Sequence, residues 1–326
     1  MIRETAGFEA VRYEPPHRDR LFALMRDVWG SYMDAAEFDW WYERNPVRPG
    51  TITLAVADGR VVGMLAMSYA RMRLAGREAL AAFAIDGATH PDFRGRGIFQ
   101  TLELENERLA AEAGAEIAVG FTNPQAGPIL VGRVGWSDIR RLRLWARPLR
   151  PLRLLRRRVE SGDGLRPLRE RLGIGLLDRF DAEAEALARA AVPGDHVIRD
   201  AAYLNWRYAE SPRGYRRLGA FRGDRLTGFA VVGHRLYRGV SAAYVADLVA
   251  ADAASAWKLL RASVAQARGG ADAVVGVPLG AGAFAAAGFV PSPQTIRLIA
   301  KPLSGRARLP ESGRAWNLTL GDSDIF

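Results

Sequence analysis

The sequence repeats itself weakly, and this repeat restricts the possible fold more than any other feature. Short segments of the first half recur in the second half in the same order. Such ordered self-similarity predicts a duplicated domain. The matched segments are FDWWYERNP at 38–46 with YLNWRYAESP at 203–212, DGRVVG with GDRLTG, AFAIDGA with AYVADLV, GAEIAVGF with GADAVVGV, and Gly135-Trp136 with Gly288-Phe289.

The first copy has the pattern of a mixed α/β layer. Apolar residues recur at helical spacing within 16–46, which predicts a helical segment. Two apolar runs follow, joined through Asp58-Gly59, a pair typical of hairpin turns. Residues 79–88 and 115–121 are predicted as buried strands, and the turn between them leads into an amphipathic helix near Ile98.

The two copies differ in one element. The first copy has FRGRGIF at 93–99, whereas the second has DAASAWK at 252–258, without a glycine. Glycines between a strand and a helix let several backbone N–H groups point into one concavity, and the helix N-terminus adds its positive dipole end. With Arg94 and Arg96, this turn predicts a pyrophosphate site, although an ordinary strand-to-helix connection is the alternative. Neither a Walker loop nor a G-x-G-x-x-G fingerprint is present.

The segment THPDFRGRGIF resembles the Q/R-x-x-G-x-G/A signature of the GNAT superfamily of acyltransferases. Arg94 matches the leading arginine and Gly97 the central glycine, while Phe99 departs from the small last residue of the signature. The resemblance extends to Asn123 and to Gly135-Trp136. It implies two tandem GNAT-like domains, each a mixed, mostly antiparallel sheet flanked by helices.

The resemblance also implies a cofactor site and a reaction. An acetyl group would pass directly from acetyl-CoA, or another acyl-CoA, to a small amine such as an amino sugar or an amino-acid-like metabolite. A backbone N–H near Ile85–Gly87 would polarise the thioester carbonyl. The cofactor-binding residues implied in this way are Ile85, Gly87, Ala88, Arg94, Gly95, Arg96, Gly97, Ile98, Phe99 and Asn123.

Candidates for proton transfer and acceptor binding are carboxylates and one aromatic residue. Asp86 lies on the implied thioester strand and is either the proton acceptor, directly or through water, or a structural carboxylate. Asp322 and Asp324 belong to an acidic C-terminal tail that either folds over a site or frays. Many family members carry a tyrosine where this chain has Leu130 and Val131. The acceptor-pocket candidates are Glu37, Asp39 and Trp40.

The predicted organisation has four parts. Residues 1–140 form a GNAT domain with the acyl-CoA site, and residues 141–195 an arginine-rich linker with short helices. Residues 196–305 form a degenerate GNAT-like domain, and residues 306–326 a C-terminal tail. The linker could contact an acidic membrane or another polyanion through 140–171, or it could simply be a solvated segment.

Composition excludes several functional classes. The chain has no cysteine and only four scattered histidines, so neither a disulfide framework nor a metal centre is expected. Its charged N-terminus and the lack of a long apolar run predict a cytoplasmic protein.

The missing tyrosine, the arginine-rich linker and the net charge of +10 keep two other functions open. One is a non-catalytic module that senses acyl-CoA or binds a polyanion. The other is a transferase that uses aminoacyl-tRNA, although the acyl-CoA-type loop makes a nucleic-acid partner the weaker prediction.

Overall fold

The computed structural model describes residues 4–5, 7–30, 33–151, 165, 173–237, 240–278, 280–309 and 316–323. Their strands are β1 Glu4–Thr5, β2 Phe8–Arg12, β3 Thr51–Ala57, β4 Arg60–Leu74, β5 Arg77–Thr89, β6 Ile117–Thr122, β7 Ser137–Pro148, β8 Ile174–Leu176, β9 His196–Val197, β10 Arg216–Arg222, β11 Arg225–Tyr237, β12 Val240–Ala250, β13 Ala273–Gly276 and β14 Val290–Pro302.

Helices in the same residues flank these strands. They are α1 Arg18–Trp29, α2 Ala35–Phe38, α3 Ile98–Glu112, α4 Gly127–Ile129, α5 Ala182–Ala191, α6 Ala201–Leu204, α7 Ala253–Ala267 and α8 Ala281–Ala286. Single π-helical turns follow three of them, at Asp39–Glu43, Leu130–Val134 and Asn205–Ala209.

The chain divides into two compact units, of which unit 1 comprises residues 1–140 and 297–313. Its strands run in the order β1-β2-β3-β4-β5-β6-β14, and all neighbours are antiparallel except β5 and β6. The predicted turn at Asp58-Gly59 joins β3 to β4, with φ values of 49° and 72°. These left-handed values are those of the tight hairpin turns that suit twisted strands.

The helical prediction for 16–46 is correct only in part. Helix α1 ends at Trp29, because Gly30 adopts φ 73° and turns the chain out of the helix. Helix α2 is a separate short element whose N-cap is Asp34, and its last turn widens into the π-helical turn Asp39–Glu43.

Unit 2 comprises residues 141–296 and 314–326. Its strand order is β7-β13-β12-β11-β10-β8, with β12 and β13 parallel and the other neighbours antiparallel. The helix and π-helical turn at 35–43 recur at 201–209, each behind an aspartate N-cap. The predicted fold class is confirmed.

Each unit packs one long helix against its sheet. In unit 1, Ile98 and Leu102 of α3 join a buried cluster with Leu65 of β4. In unit 2, Leu259 and Leu260 of α7 join the corresponding cluster. Burial of such an apolar helix face is what stabilises a two-layer α/β unit.

Much of the arginine-rich linker, 152–164 and 166–172, lies outside the described residues, and so do the short helices predicted there. Among the described helices, none is long and apolar enough to cross a membrane.

Candidate functional site

A cavity of about 370 Å³ lies in unit 1 where two parallel strands part. The β5–β6 ladder ends at the pair Ala84–Gly120, while β5 continues to Thr89 and β6 to Thr122. The residues that line the cavity are Gly87, Thr89, Phe93, Arg94, Gly95, Gly97, Ile98, Phe99, Gln100, Asn123, Gln125, Ala126, Ile129 and Arg133.

The glycine-rich turn forms one wall of this cavity. It starts with the 3₁₀ turn Pro91–Phe93, in which His90 accepts a hydrogen bond from the Asp92 N–H. Gly95 and Gly97 both have φ 78°, and a β-carbon at either would point into open space. No side chain of the described residues caps α3 at Gly97, so the first N–H groups of the helix face an uncovered concavity. This is the arrangement that binds anions.

The two arginines of the turn have different surroundings. Arg94 lines the cavity, together with Arg133 from the π-helical turn. Arg96 instead places its guanidinium 4.7 Å from the centre of the Phe93 ring and donates to the Asp92 carbonyl at 3.2 Å. Arg94 and Arg133 therefore give the cavity its positive charge, and none of the described lining residues is acidic.

The opposite wall is shaped by the connection after β6. The side-chain oxygen of Asn123 accepts hydrogen bonds from the N–H groups of Gln125 and Ala126, both at 2.9 Å. These bonds fix the turn that leads into α4. Ala126 and Ile129 line the cavity together with Phe99, so that this wall is apolar.

Asp86 lies in a β-bulge of β5 beside the parting strands. Ile85 and Gly87 pair with consecutive residues of β4, which makes Asp86 the extra residue. Its φ of 37° is a left-handed value that costs energy for a residue other than glycine. Tyr42 donates a hydrogen bond to its carboxylate at 2.5 Å, and Asp86 is buried.

Unit 2 contains the same tyrosine–aspartate pair. Tyr208 donates to Asp247 at 3.1 Å, although this unit lacks the glycine-rich turn. Arg199 also bonds Asp247, at 2.7 Å, and pairs with Asp322 at 3.1 Å. Met33 stands at the equivalent position of the first copy. The tyrosine–aspartate pair is thus common to both units, whereas the arginine that bonds the aspartate is found in unit 2.

The predicted acceptor residues share one element of unit 1. Glu37 is on α2, and Asp39 begins the π-helical turn that also carries Tyr42. Asp39 forms an ion pair with Arg18. Trp40 is 1% exposed, with its ring 4.9 Å from that of Trp41.

The predicted tail residues lie elsewhere. Asp322 is buried in unit 2 and accepts hydrogen bonds from Arg199 and from the Thr319 N–H. Asp324 lies outside the described residues.

The structure thus brings most of the predicted cofactor residues to one cavity. Gly87, Arg94, Gly95, Gly97, Ile98, Phe99 and Asn123 line it, whereas Ile85, Ala88 and Arg96 do not. Sequence reasoning missed Tyr42 and, among the residues that line the cavity, Thr89, Phe93, Gln100, Gln125, Ala126, Ile129 and Arg133. Of these, Tyr42 carried a signal, since it is repeated between the two copies, and Thr89 and Phe93 lie within the motif THPDFRGRGIF.

The described ranges hold no group of three or more His, Asp or Glu residues that could bind a metal ion.

Comparisons with known proteins support the domain and the fold. Residues 12–138 match the family model described as an acetyltransferase (GNAT) domain. No curated protein matches the sequence. Solved structures with the same fold include a GCN5-related N-acetyltransferase from Anabaena variabilis, with 13% identity, a TM-score of 0.64, and coverage of 91% of this chain and 73% of that one.

Two further structures show a likeness over a similar share of the chain. N-myristoyltransferase of Saccharomyces cerevisiae with bound myristoyl-CoA has 11% identity and a TM-score of 0.66, with 91% of this chain and 83% of that chain covered. A GCN5-related N-acetyltransferase from Kribbella flavida has 16% identity and a TM-score of 0.58, with coverage of 90% and 71%. At such identities the likeness shows the fold, and the family match adds the domain. The first unit of this chain is therefore an acyltransferase domain of the GNAT superfamily.

Proposed function

We propose that this chain transfers an acetyl group from acetyl-CoA to the nitrogen of a small amine, such as an amino sugar or an amino-acid-like metabolite. The observation that carries this proposal is the unit 1 cavity. It joins parted parallel strands, an uncapped helix N-terminus and two arginines, with no acidic residue among its described lining. Phosphate groups need such a lining, and an extended amide-bearing arm fits between parted strands.

In this proposal the turn and its neighbours hold the pyrophosphate. The N–H groups around Gly95 and Gly97 would donate to phosphate oxygens, because both glycines leave the concavity open. Arg94 and Arg133 would neutralise the charge. Asn123 has a supporting part, since it fixes the turn at the opposite wall.

The bulge of β5 would serve the reacting end. The backbone N–H groups near Ile85–Gly87 lie next to the end of the parallel ladder, where the thioester carbonyl would sit. A fixed donor there stabilises the negative charge that develops on the carbonyl oxygen. The amine nitrogen bonds to the carbonyl carbon, the carbon–sulfur bond breaks, and the thiolate takes up a proton.

Asp86 is the candidate that removes the proton from the attacking amine. It lies in the bulge itself, and Tyr42 orients its carboxylate through a 2.5 Å hydrogen bond. Glu37, Asp39 and Trp40 are the candidate acceptor residues, since they share the segment that carries Tyr42. A base placed within hydrogen-bond reach contributes on the order of 10²–10⁴-fold to such transfers.

Calorimetric titration of acetyl-CoA into the wild type and Gly97→Asp tests the proposal. The aspartate would place a carboxylate at the N-terminus of α3, so we expect binding at one site per chain in the wild type and a loss of at least about 100-fold in the variant. Gly76→Asp is the matched control, since Gly76 has φ 83°, equally open space and no part in the cavity. A folded wild type that does not bind acetyl-CoA would refute the proposal.

Binding of a polyanion is the second candidate, and one strand favours it. On β7, Arg141 and Arg143 are exposed and alternate with the buried Leu142 and Leu144. A charged stripe of this kind attracts acidic lipid headgroups or other polyanions. Sedimentation with vesicles containing phosphatidylserine, repeated at rising salt, tests it against Arg141→Ala/Arg143→Ala. Binding that is independent of salt or of both arginines would exclude this surface.

A further inference from the structure

The buried faces of the two long helices match position by position. Each buried residue of α3 has a buried counterpart in α7 that lies 157 positions later in the chain. The pairs are Ile98 with Ser255, Leu102 with Leu259, Glu103 with Leu260, Asn106 with Ser263, Glu107 with Val264, and Ala110 with Ala267.

The difference between these faces is chemical. Where α7 has Leu260 and Val264, α3 has the carboxyl groups of Glu103 and Glu107, which are 1% and 7% exposed. Buried carboxyl groups cost free energy, and the second copy shows that the fold packs without them. The packing of the fold therefore does not explain these carboxyl groups, and the contacts of Glu107 give a reason for one of them.

Glu107 connects α3 to the segment that follows α4. One of its oxygens accepts a hydrogen bond from the Trp136 indole N–H at 2.7 Å. The other accepts from the Lys301 ammonium group at 2.5 Å, and the same ammonium donates to the Val134 carbonyl at 2.8 Å. The carboxylate is thus paired and fixes the indole in one orientation.

Trp136 belongs to a buried cluster against which part of the cavity lining packs. Its ring leaves only 3.3 Å for a β-carbon at Gly120, the last residue of β6 in the parallel ladder. The cluster around Trp136 also supports Phe99, Ala126 and Ile129, which form the apolar wall. A change in the indole position would therefore shift the backbone of β6 at Gly120 and the side chains of this wall.

We propose that Glu107 and Trp136 are positioning residues that set the gap between β5 and β6 in which the acyl-CoA arm binds. The proposal rests on the proposed function for the identity of the ligand. The second copy provides the matched replacements, because Val264 and Phe289 stand where Glu107 and Trp136 stand in unit 1.

The experiment compares Glu107→Val and Trp136→Phe with the wild type by hydrogen exchange of the ligand-free protein and by acetyl-CoA titration. We expect exchange of the 117–122 amides to rise in both variants. The dissociation constant for acetyl-CoA should rise about tenfold, because a small misplacement of a binding wall costs this much or more. Glu107→Gln keeps an acceptor for the indole N–H but not for the Lys301 ammonium group, so it should restore part of the affinity.

Glu103→Leu is the control on the same buried face, since Glu103 has no described contact with Trp136 and should leave the affinity unchanged. Unchanged exchange in Glu107→Val and Trp136→Phe would overturn the proposal, and so would exchange that rises evenly through unit 1, which is the result of a purely structural role. A wild type that fails to bind acetyl-CoA would refute the proposed function alone, because the exchange data on the free protein would still decide whether these residues hold the strands.

Discussion

The two units contain the same parting of parallel strands but line it with opposite charge. In unit 1 the described lining includes Arg94 and Arg133 and no acidic residue. In unit 2 the β12–β13 ladder ends at Tyr244–Val275, beside a cavity of about 450 Å³. Its described lining includes Asp247 and Asp252 and no basic residue. The architecture thus provides the cleft, and the side chains decide whether an anion can enter it.

The helix N-termini show the same division. Asp252 caps α7 and accepts a hydrogen bond from the Ser255 N–H at 2.7 Å, whereas α3 starts at Gly97 without such a cap. A capping carboxylate already satisfies the N–H groups that would otherwise bind a phosphate. The capping residue is therefore one of the differences that separate the turn of unit 1 from an ordinary helix start.

Unit 2 uses buried charge to hold the C-terminal segment. Arg207 is 1% exposed and donates to the carbonyls of Gly321 and Ser323 at 2.9 and 3.2 Å. Arg199 bonds Asp247 and Asp322 at the same place. Asp247, which matches the candidate catalytic residue Asp86, thus helps to hold the C-terminal segment through Arg199.

The largest effect on the free energy of unfolding is expected when Arg199 is replaced by the residue at the equivalent position of the first copy. Arg199→Met copies Met33 and leaves Asp247 and Asp322 as buried carboxylates without their arginine. Removal of one partner of a buried ion pair costs about 3–5 kcal/mol. Urea unfolding should show a loss of this size. The double variant Arg199→Met/Asp247→Asn should recover part of it, and a loss below about 1 kcal/mol would show that the network is not a stability element.

The next effect concerns the buried face of α3 and depends on pH. Burial raises the pKa of Glu103 to about 8, and the negative charge of Glu107 adds to the shift. Between pH 4.5 and about 8 the folded state keeps a proton that the unfolded state has lost. Stability therefore falls with rising pH across this window and levels off above it.

Glu103→Gln removes this titration. The variant should match the wild type near pH 4.5 and exceed its free energy of unfolding by roughly 2–4 kcal/mol at pH 8. The test measures the free energy of unfolding of both proteins in urea at several pH values. Because the other titrating groups are the same in both proteins, their contributions cancel in the difference. A difference that does not change with pH would show that Glu103 is charged in the folded protein at all these values.

The sequence predicted the glycine-rich turn before α3 because its information is local. Gly95 and Gly97 need left-handed φ values, and Arg94 provides charge within the same seven residues. The repeat also contained the Tyr42–Asp86 contact, since both residues are matched in the second copy by Tyr208 and Asp247. The two matched positions are in contact in both copies. The sequence matches alone, however, do not show which matched positions are in contact.

Other features had no local signal. Residues 297–302 complete the sheet of unit 1 by pairing with β6, which lies far away in the sequence. Arg133 reaches the cavity only because a π-helical turn carries it there. Asp322 is predicted in a tail that either folds over a site or frays, and its burial depends on Arg199 of a distant segment. Long-range pairing decides the first and the third, and a local irregularity of the helix decides the second.

A smaller effect separates the two arginines of the turn. Arg94→Ala removes a cation from the cavity lining and should weaken acetyl-CoA binding about tenfold, or about 1.4 kcal/mol. Arg96→Ala is its matched control, because Arg96 is held by Phe93 and Asp92 outside the lining. Titrations at two salt concentrations should show a weaker salt dependence for Arg94→Ala only. Equal losses in both variants would mean that the turn acts through its total charge.

The smallest effect compares the tyrosines of the two shared pairs. Tyr42→Phe and Tyr208→Phe each remove one buried hydrogen bond to an aspartate and should each cost about 1 kcal/mol in urea unfolding. Only Tyr42 orients a carboxylate beside the proposed thioester position, so only Tyr42→Phe should also lower kcat, by about threefold to fivefold, with the best acceptor from an amine panel. Because the stability losses are matched, a difference in kcat cannot come from partial unfolding. If both variants transfer acetyl groups at the wild-type rate, the pair has the same structural part in both units, and the proton acceptor must be sought among other groups near the bulge of β5.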